Sequence, residues 1–197
     1  VQKISITTLL AAFIPPCGVL EKRRMTMKEF GGPCILLDRN DINTDEIIPA
    51  KYLTENSKLA LKPYILEDLK LEGFEPQGKK LQDAKVLITR QNFGCGSSRE
   101  HAVWVLEVNG INVVIAESFA RIFRQNAFNC GMLAIELPKE DIEAIFNVQP
   151  SNINIDLEQQ KITASGIKEY TCSFKLNQFD KELVKSDGWL AYADKNY

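Results

Sequence analysis

One histidine, His101, is all that this 197-residue chain carries. A histidine-rich metal centre is therefore excluded, and a Ser–His–Asp triad would have to be built around that one side chain. Neither sign of charge dominates: 24 basic and 26 acidic residues leave a formal net charge of −2. That balance gives no electrostatic basis for a nucleic-acid partner. No apolar run reaches the roughly 18 residues that a membrane-spanning helix needs. The five cysteines, Cys17, Cys34, Cys95, Cys130 and Cys172, include no Cys-x-x-Cys pair. Zinc ribbons and thioredoxin-like redox motifs are thereby set aside, and scattered thiols in odd number point to a reducing, cytoplasmic setting.

What is present suits a packed domain. The hydrophobic share is 45%, enough at this length to bury a core without disulfide staples. Residues 1–26 stand apart. Lys3 precedes a largely apolar run from Ile4 to Leu20 that Pro15 and Pro16 interrupt and a charged Glu21-Lys22-Arg23-Arg24 follows. No convincing cleavage site follows the run, so a secretory signal fits poorly. The expectation is an N-terminal extension, disordered or upstream of a true start near Met25 or Met27, with residues 27–197 forming one domain.

From residue 33 to about 147, short apolar runs alternate with helical periodicity. Pro33 to Asp38, Lys85 to Thr89, Asn112 to Ala116 and Met132 to Leu137 read as strands. Helices are expected at 59–71, at 99–109 before Gly110, at 118–129 capped by Ser118, and after Pro138 at its N1 position. Strands alternating with helices imply a mainly parallel sheet. Past Pro150, runs at 153–157, 161–164 and 170–176 suggest a second, antiparallel layer. A terminal helix is expected at 179–193, broken at Gly188.

Three stretches can carry chemistry. Asn92-Phe93-Gly94-Cys95-Gly96-Ser97-Ser98-Arg99-Glu100-His101 follows a buried strand and opens a helix. Successive N–H groups of a glycine-rich turn, a helix N-terminus and an arginine in the first helical turn suit a carboxylate or phosphate. The dinucleotide fingerprint lacks its third glycine and no Gly-Lys-Ser/Thr follows, so neither nucleotide motif is present. The same residues also suit a plain strand-to-helix turn whose glycines take positive φ. Cys95 and His101 make a poor nucleophile pair, since nothing nearby orients the imidazole. The second stretch, Asp38 to Pro49, is rich in carboxylates around Asn43-Thr44-Asp45, but it fails the EF-hand pattern and reads more simply as a capped turn. The third, Ser118 to Gly131, places Arg121 and Arg124 near one helix face and Phe119, Phe123 and Phe128 on another, where the rings are most simply core.

Together, Asn43-Thr44-Asp45 with Pro49, the Gly94-Cys95-Gly96-Ser97-Ser98-Arg99-Glu100-His101-Ala102 run and Ser118-Phe119-Ala120-Arg121-Ile122-Phe123 resemble the swivelling domain of the aconitase superfamily, in its free-standing small-subunit form. The resemblance covers about Met27 to the C-terminus. It implies an α/β fold, a three-layer β/β/α swivelling domain with a mainly parallel central sheet. It implies a hydro-lyase that isomerises a small hydroxy acid by dehydration and rehydration, active only with a large subunit carrying a 4Fe–4S cluster; no metal or cofactor is expected on this chain. It places Ser97 as catalytic base, Ser98 and Arg99 on a substrate carboxylate, and Thr44 and Asp45 in the active-site lining. Tyr52, Leu53, Thr54 and Glu55 follow the first motif and correspond to a loop over the substrate's variable group. Thr54 and Glu55 fit neither the apolar nor the basic pattern of that loop. 2-Isopropylmalate heads the implied substrates, with methylmalate, dimethylmalate and homocitrate types open. A stand-alone anion-binding domain is the reading of a different class.

Overall fold

The computed structural model describes residues 29–197; the expected extension at residues 1–26 lies outside them. Seven strands form one sheet in the order β4-β3-β2-β1-β5-β6-β7. β1 (Gly31–Leu37), β2 (Val86–Thr89), β3 (Val113–Ala116) and β4 (Leu133–Glu136) are parallel neighbours. All four residues of β2 and of β3 are buried, as continuous apolar runs in a sheet covered on both faces must be.

β5 (Asn152–Asp156), β6 (Lys161–Ser165) and β7 (Glu169–Ser173) pair antiparallel. They alternate instead, with Ile153 and Ile155, then Ile162 and Ala164, pointing inward, because only one face is covered. This antiparallel part is continuous with the parallel one. Gly31 to Pro33 of β1 pair with β5, and Cys34 to Leu37 pair with β2. One strand thus belongs to both halves, where the expectation had a separate layer.

Among the described residues there are seven α-helices: α1 (Thr44–Ile47), α2 (Lys79–Asp83), α3 (His101–Val108), α4 (Arg121–Asn129), α5 (Lys139–Val148), α6 (Gln178–Lys185) and α7 (Trp189–Asn196). No described helix is long and apolar enough to cross a membrane. The helix expected at 59–71 is instead a 3₁₀ segment, Lys58–Tyr64, followed by turns. Pro63 removes a backbone donor and disfavours the α conformation at Lys62. Pro138 is the N-cap of α5 and not its first residue. Gly188, at φ +101, separates α6 from α7 as expected.

Candidate functional site

The chain leaves β1, β2 and β3 at their carboxyl ends into the three stretches singled out above. This is the edge of a parallel α/β sheet where ligands bind. There the stretches lie side by side. The N–H of Gly94 donates to the Ile42 carbonyl (2.8 Å) and that of Thr44 to the Cys95 carbonyl (2.8 Å). On the other flank the Phe93 N–H donates to Ser118 (3.1 Å) and the Ala120 N–H to Phe93 (2.9 Å). Segments about 50 and 25 residues apart along the chain are thus laced into a short ladder with Phe93-Gly94-Cys95 at its centre.

Local chemistry explains the fit. Asn43 caps α1, its side chain accepting from the Asp45 N–H (2.9 Å) and the Glu46 N–H (3.0 Å), while Glu46 reaches back to the Asn43 N–H (3.1 Å). This reciprocal pair satisfies donors that a short helix cannot. Glu46 also meets Arg39 at 2.7 Å, and Asp41 accepts from the Asn92 side chain at 2.7 Å. Two carboxylates of the second stretch, Asp41 and Glu46, are therefore engaged in turn structure. Gly94 takes φ +76, and a Cβ there would collide with the Phe123 ring. Gly96 takes φ +98, with its α-carbon turned to the Thr44 hydroxyl. Both positions need glycine.

The ladder borders a cleft of about 180 Å³ lined by Thr44, Gly94, Gly96, Ser97, Ser98, Arg99 and residues 120–123. Ser97 and Ser98 are exposed. The N–H groups of Gly96, Ser97 and Ser98 donate to no acceptor among the described residues. Thr44 is 1% exposed, and its hydroxyl is buried without a hydrogen-bond partner. A buried hydroxyl is costly to leave unpaired. A cleft edged with idle donors suits an anion.

Arg99 sits two residues ahead of α3, and not in its first turn as expected. Its Nη1 donates to Asp45 Oδ1 and its Nη2 to Ser97 Oγ (3.3 Å). Asp45 therefore reaches the site through Arg99 and is not itself a lining residue. Cys95 contributes its carbonyl to the ladder. Burial first, and then the Asp41 carboxylate, hold its thiol above the ordinary value, which disfavours a thiolate nucleophile. The His101 ring lies 4.7 Å from that of Trp104.

Two expectations shift. Ser118 does not cap α4: its hydroxyl accepts from the Asn92 N–H (2.9 Å) and so braces the glycine turn. α4 begins three residues later, with no side chain capping it. Arg121 and Ile122 consequently join the cleft lining, a placement the helical pattern did not reveal. Arg124 turns away to Asp180 (3.5 Å) and the Phe128 ring (4.8 Å). Phe123 and Phe128 are core as expected, with Phe123 edge-on to Phe93 at 5.1 Å; Phe119 is partly buried against it.

Tyr52 to Glu55 do not line the cleft. Tyr52 stacks on Tyr64 at 3.6 Å and donates its hydroxyl to Glu67 (3.0 Å). Leu53 is half-buried, and Thr54 and Glu55 are exposed. A larger cleft of about 430 Å³ lies around Arg90. There Asp38 and Glu143, each at 2.6 Å, and Glu117 at 3.8 Å already neutralise the guanidinium.

Comparison with known proteins identifies the family. The family described as Aconitase C-terminal domain matches residues 67–140. The 3-isopropylmalate dehydratase small subunit of Pseudoalteromonas translucida is 40% identical over 80% of this chain and 83% of its own length. That of Deinococcus deserti is 39% identical over 78% and 81%. A crystal structure of 3-isopropylmalate dehydratase from Methanocaldococcus jannaschii superposes with a TM-score of 0.70 at 30% identity, covering 85% of this chain and 95% of that one. This chain belongs to the family of 3-isopropylmalate dehydratase small subunits.

Proposed function

We propose that this chain is the small, swivelling subunit of a 3-isopropylmalate dehydratase, a hydro-lyase of leucine biosynthesis that interconverts 2- and 3-isopropylmalate by removing water and returning it the other way round. The observation that carries the reading is the cleft itself: Ser97, Arg99 and the unpartnered Thr44 hydroxyl converge on it with three idle backbone N–H groups.

Ser97 Oγ takes the proton from the carbon beside a substrate carboxylate and hands it back in the reverse step. A serine hydroxyl ionises far above neutral pH, so its alkoxide needs strong local stabilisation. Arg99 Nη2, 3.3 Å from Ser97 Oγ, supports this role, and the unengaged N–H groups of Gly96, Ser97 and Ser98 would add to it. Arg99 and Ser98 hold a substrate carboxylate, and Thr44 donates its hydroxyl to the bound acid. Closure over a partner strengthens each interaction by excluding water.

The small size of the cleft supports a partner: complete small-molecule pockets run to about 300–1,000 Å³, and this open cleft holds about 180 Å³. The large subunit supplies the facing wall and the 4Fe–4S cluster, whose iron is the reaction's Lewis acid. Residues of this chain do not fit that cluster: among the described residues no group of three or more His, Cys, Asp or Glu side chains could hold a metal ion. The free thiols Cys34 in β1, Cys95 in the glycine turn, Cys130 at the C-cap of α4 and Cys172 in β7 come from four separate places in the fold, in keeping with a cytoplasmic protein.

The test is a comparison of kcat/KM for 2-isopropylmalate, citramalate, dimethylmalate, homocitrate and citrate with the anaerobically assembled heteromer. The alkylmalates are expected to lead. A preference for a tricarboxylate would overturn the substrate while leaving the hydro-lyase standing, and inactivity on all five with phosphate bound would favour an anion-binding domain.

A further inference from the structure

A dicarboxylate brings two negative charges to a half-site in which only one cation, Arg99, has been given a role. Arg99 is itself paired with Asp45, so that pair adds no net charge to the cleft. The α4 end of the lining differs. Of the five arginines among the described residues, Arg39, Arg90, Arg99 and Arg124 each meet a carboxylate. Arg121 meets none. It is exposed, it lines the cleft, and it is the first residue of α4.

The backbone around it is equally unengaged. α4 has nine residues and no side chain at its N-cap, Ala120. Its hydrogen-bond ladder begins with the Arg124 N–H donating to Ala120 (3.1 Å), and the N–H groups of Arg121, Ile122 and Phe123 find no acceptor among the described residues. Such a terminus favours a negative charge. The Thr44 hydroxyl, in the lining of the same cleft, is the independent sign of a missing ligand. It is 1% exposed and has no partner.

We propose that Arg121, with the open N-terminus of α4, binds the second carboxylate of the substrate in the cleft that Arg99 also lines. This rests on the dehydratase reading above and adds to it a second anchor. Two cations in one cleft would fix the carbon between the carboxylates against Ser97, and a lone anchor would leave the acid free to pivot. The guanidinium has planar, paired donors suited to a carboxylate.

The experiment is calorimetric binding to the assembled heteromer, so that it reads out independently of turnover. The probes are 2-isopropylsuccinate, which lacks the departing hydroxyl, and its two half-amides; the proteins are wild type, Arg121→Gln and Arg121→Lys. Arg121→Gln is expected to weaken the diacid by about 10–100-fold, the range for losing a charged hydrogen-bonding partner. One half-amide should already bind weakly to wild type and lose less than about threefold further in the variant. Arg121→Lys should fall between. Unchanged diacid affinity, or equal losses for the diacid and both half-amides, would overturn the assignment. So would failure of both variants to assemble, since that would place Arg121 at the subunit interface. A wild-type heteromer that turns over no alkylmalate would count against the dehydratase reading alone.

Discussion

Asp45 and Arg99 lie 54 positions apart in the chain and form an ion pair, Oδ1 to Nη1, that turns the other arm of the guanidinium onto Ser97. Arg99 is 17% exposed and Asp45 53%. An exposed carboxylate of this kind contributes little to stability, about 0–1 kcal/mol. Its value lies in aim. Asp45→Asn should lower kcat of the assembled enzyme by about 10–100-fold with KM within about threefold, because the alkoxide at Ser97 loses its oriented neighbour. The melting temperature should fall by no more than about 4 °C. A raised KM with unchanged kcat would show that Asp45 serves substrate binding alone.

Gly94 and Gly73 form a matched pair for the turn. Both take positive φ, +76 and +74, but a Cβ at Gly94 would meet the Phe123 ring and one at Gly73 would meet nothing within 4 Å. Gly73→Ala should therefore cost about 1 kcal/mol of unfolding free energy, from backbone strain. Gly94→Ala should cost about 2–4 kcal/mol, strain plus overpacking. Denaturant titration of the two variants measures the difference, and equal losses would mean that the Phe123 contact yields.

The strands and three motifs were readable because their signals are local: four-residue apolar runs, glycines where φ must be positive, and Asn43 with Glu46 as a reciprocal cap. What could not be read was where partners at long range would pull individual groups. Ser118 has the right chemistry for a cap, but the Asn92 N–H claims its hydroxyl, so α4 starts at Arg121 and that residue reaches the cleft. Periodicity over residues 59–71 looked helical because Leu61, Ile65, Leu66 and Leu69 are all buried. Pro63 breaks the hydrogen-bond ladder, so the burial is achieved by a 3₁₀ segment and turns. The Asp45–Arg99 pair joins α1 to the glycine turn, segments whose proximity depends on β1 and β2 being neighbours.

Tyr170 ties β7 to α5 by donating its hydroxyl to Asp141 at 2.6 Å. Chiefly through that hydrogen bond to a carboxylate, its pKa rises from 10.0 to about 12. A raised folded-state pKa means that the contribution is fully present below about pH 10 and lost as pH rises through about 12. Tyr170→Phe should flatten the alkaline fall in stability across that window and leave the acid limb unchanged. An identical alkaline slope in the two proteins would contradict the assignment.

Thr54 is exposed beyond the Tyr52–Tyr64 stack and tests whether this loop selects the substrate. Thr54→Arg should shift the ratio of kcat/KM for homocitrate over 2-isopropylmalate upward by about tenfold, the scale of one pocket contact. No shift would put the choice on another loop.

The central claim is that this chain brings the base and the carboxylate anchors to a site completed by a large subunit. The most direct measurement is the anaerobic rate of 2-isopropylmalate isomerisation by the isolated chain, by its mixture with a cluster-bearing large subunit, and by the same mixture carrying Ser97→Ala. The isolated chain should be inactive, the mixture active, and the Ser97→Ala mixture slower by at least about a thousandfold in kcat with KM little changed. Activity in the isolated chain, or a Ser97→Ala mixture within about tenfold of wild type, would contradict it.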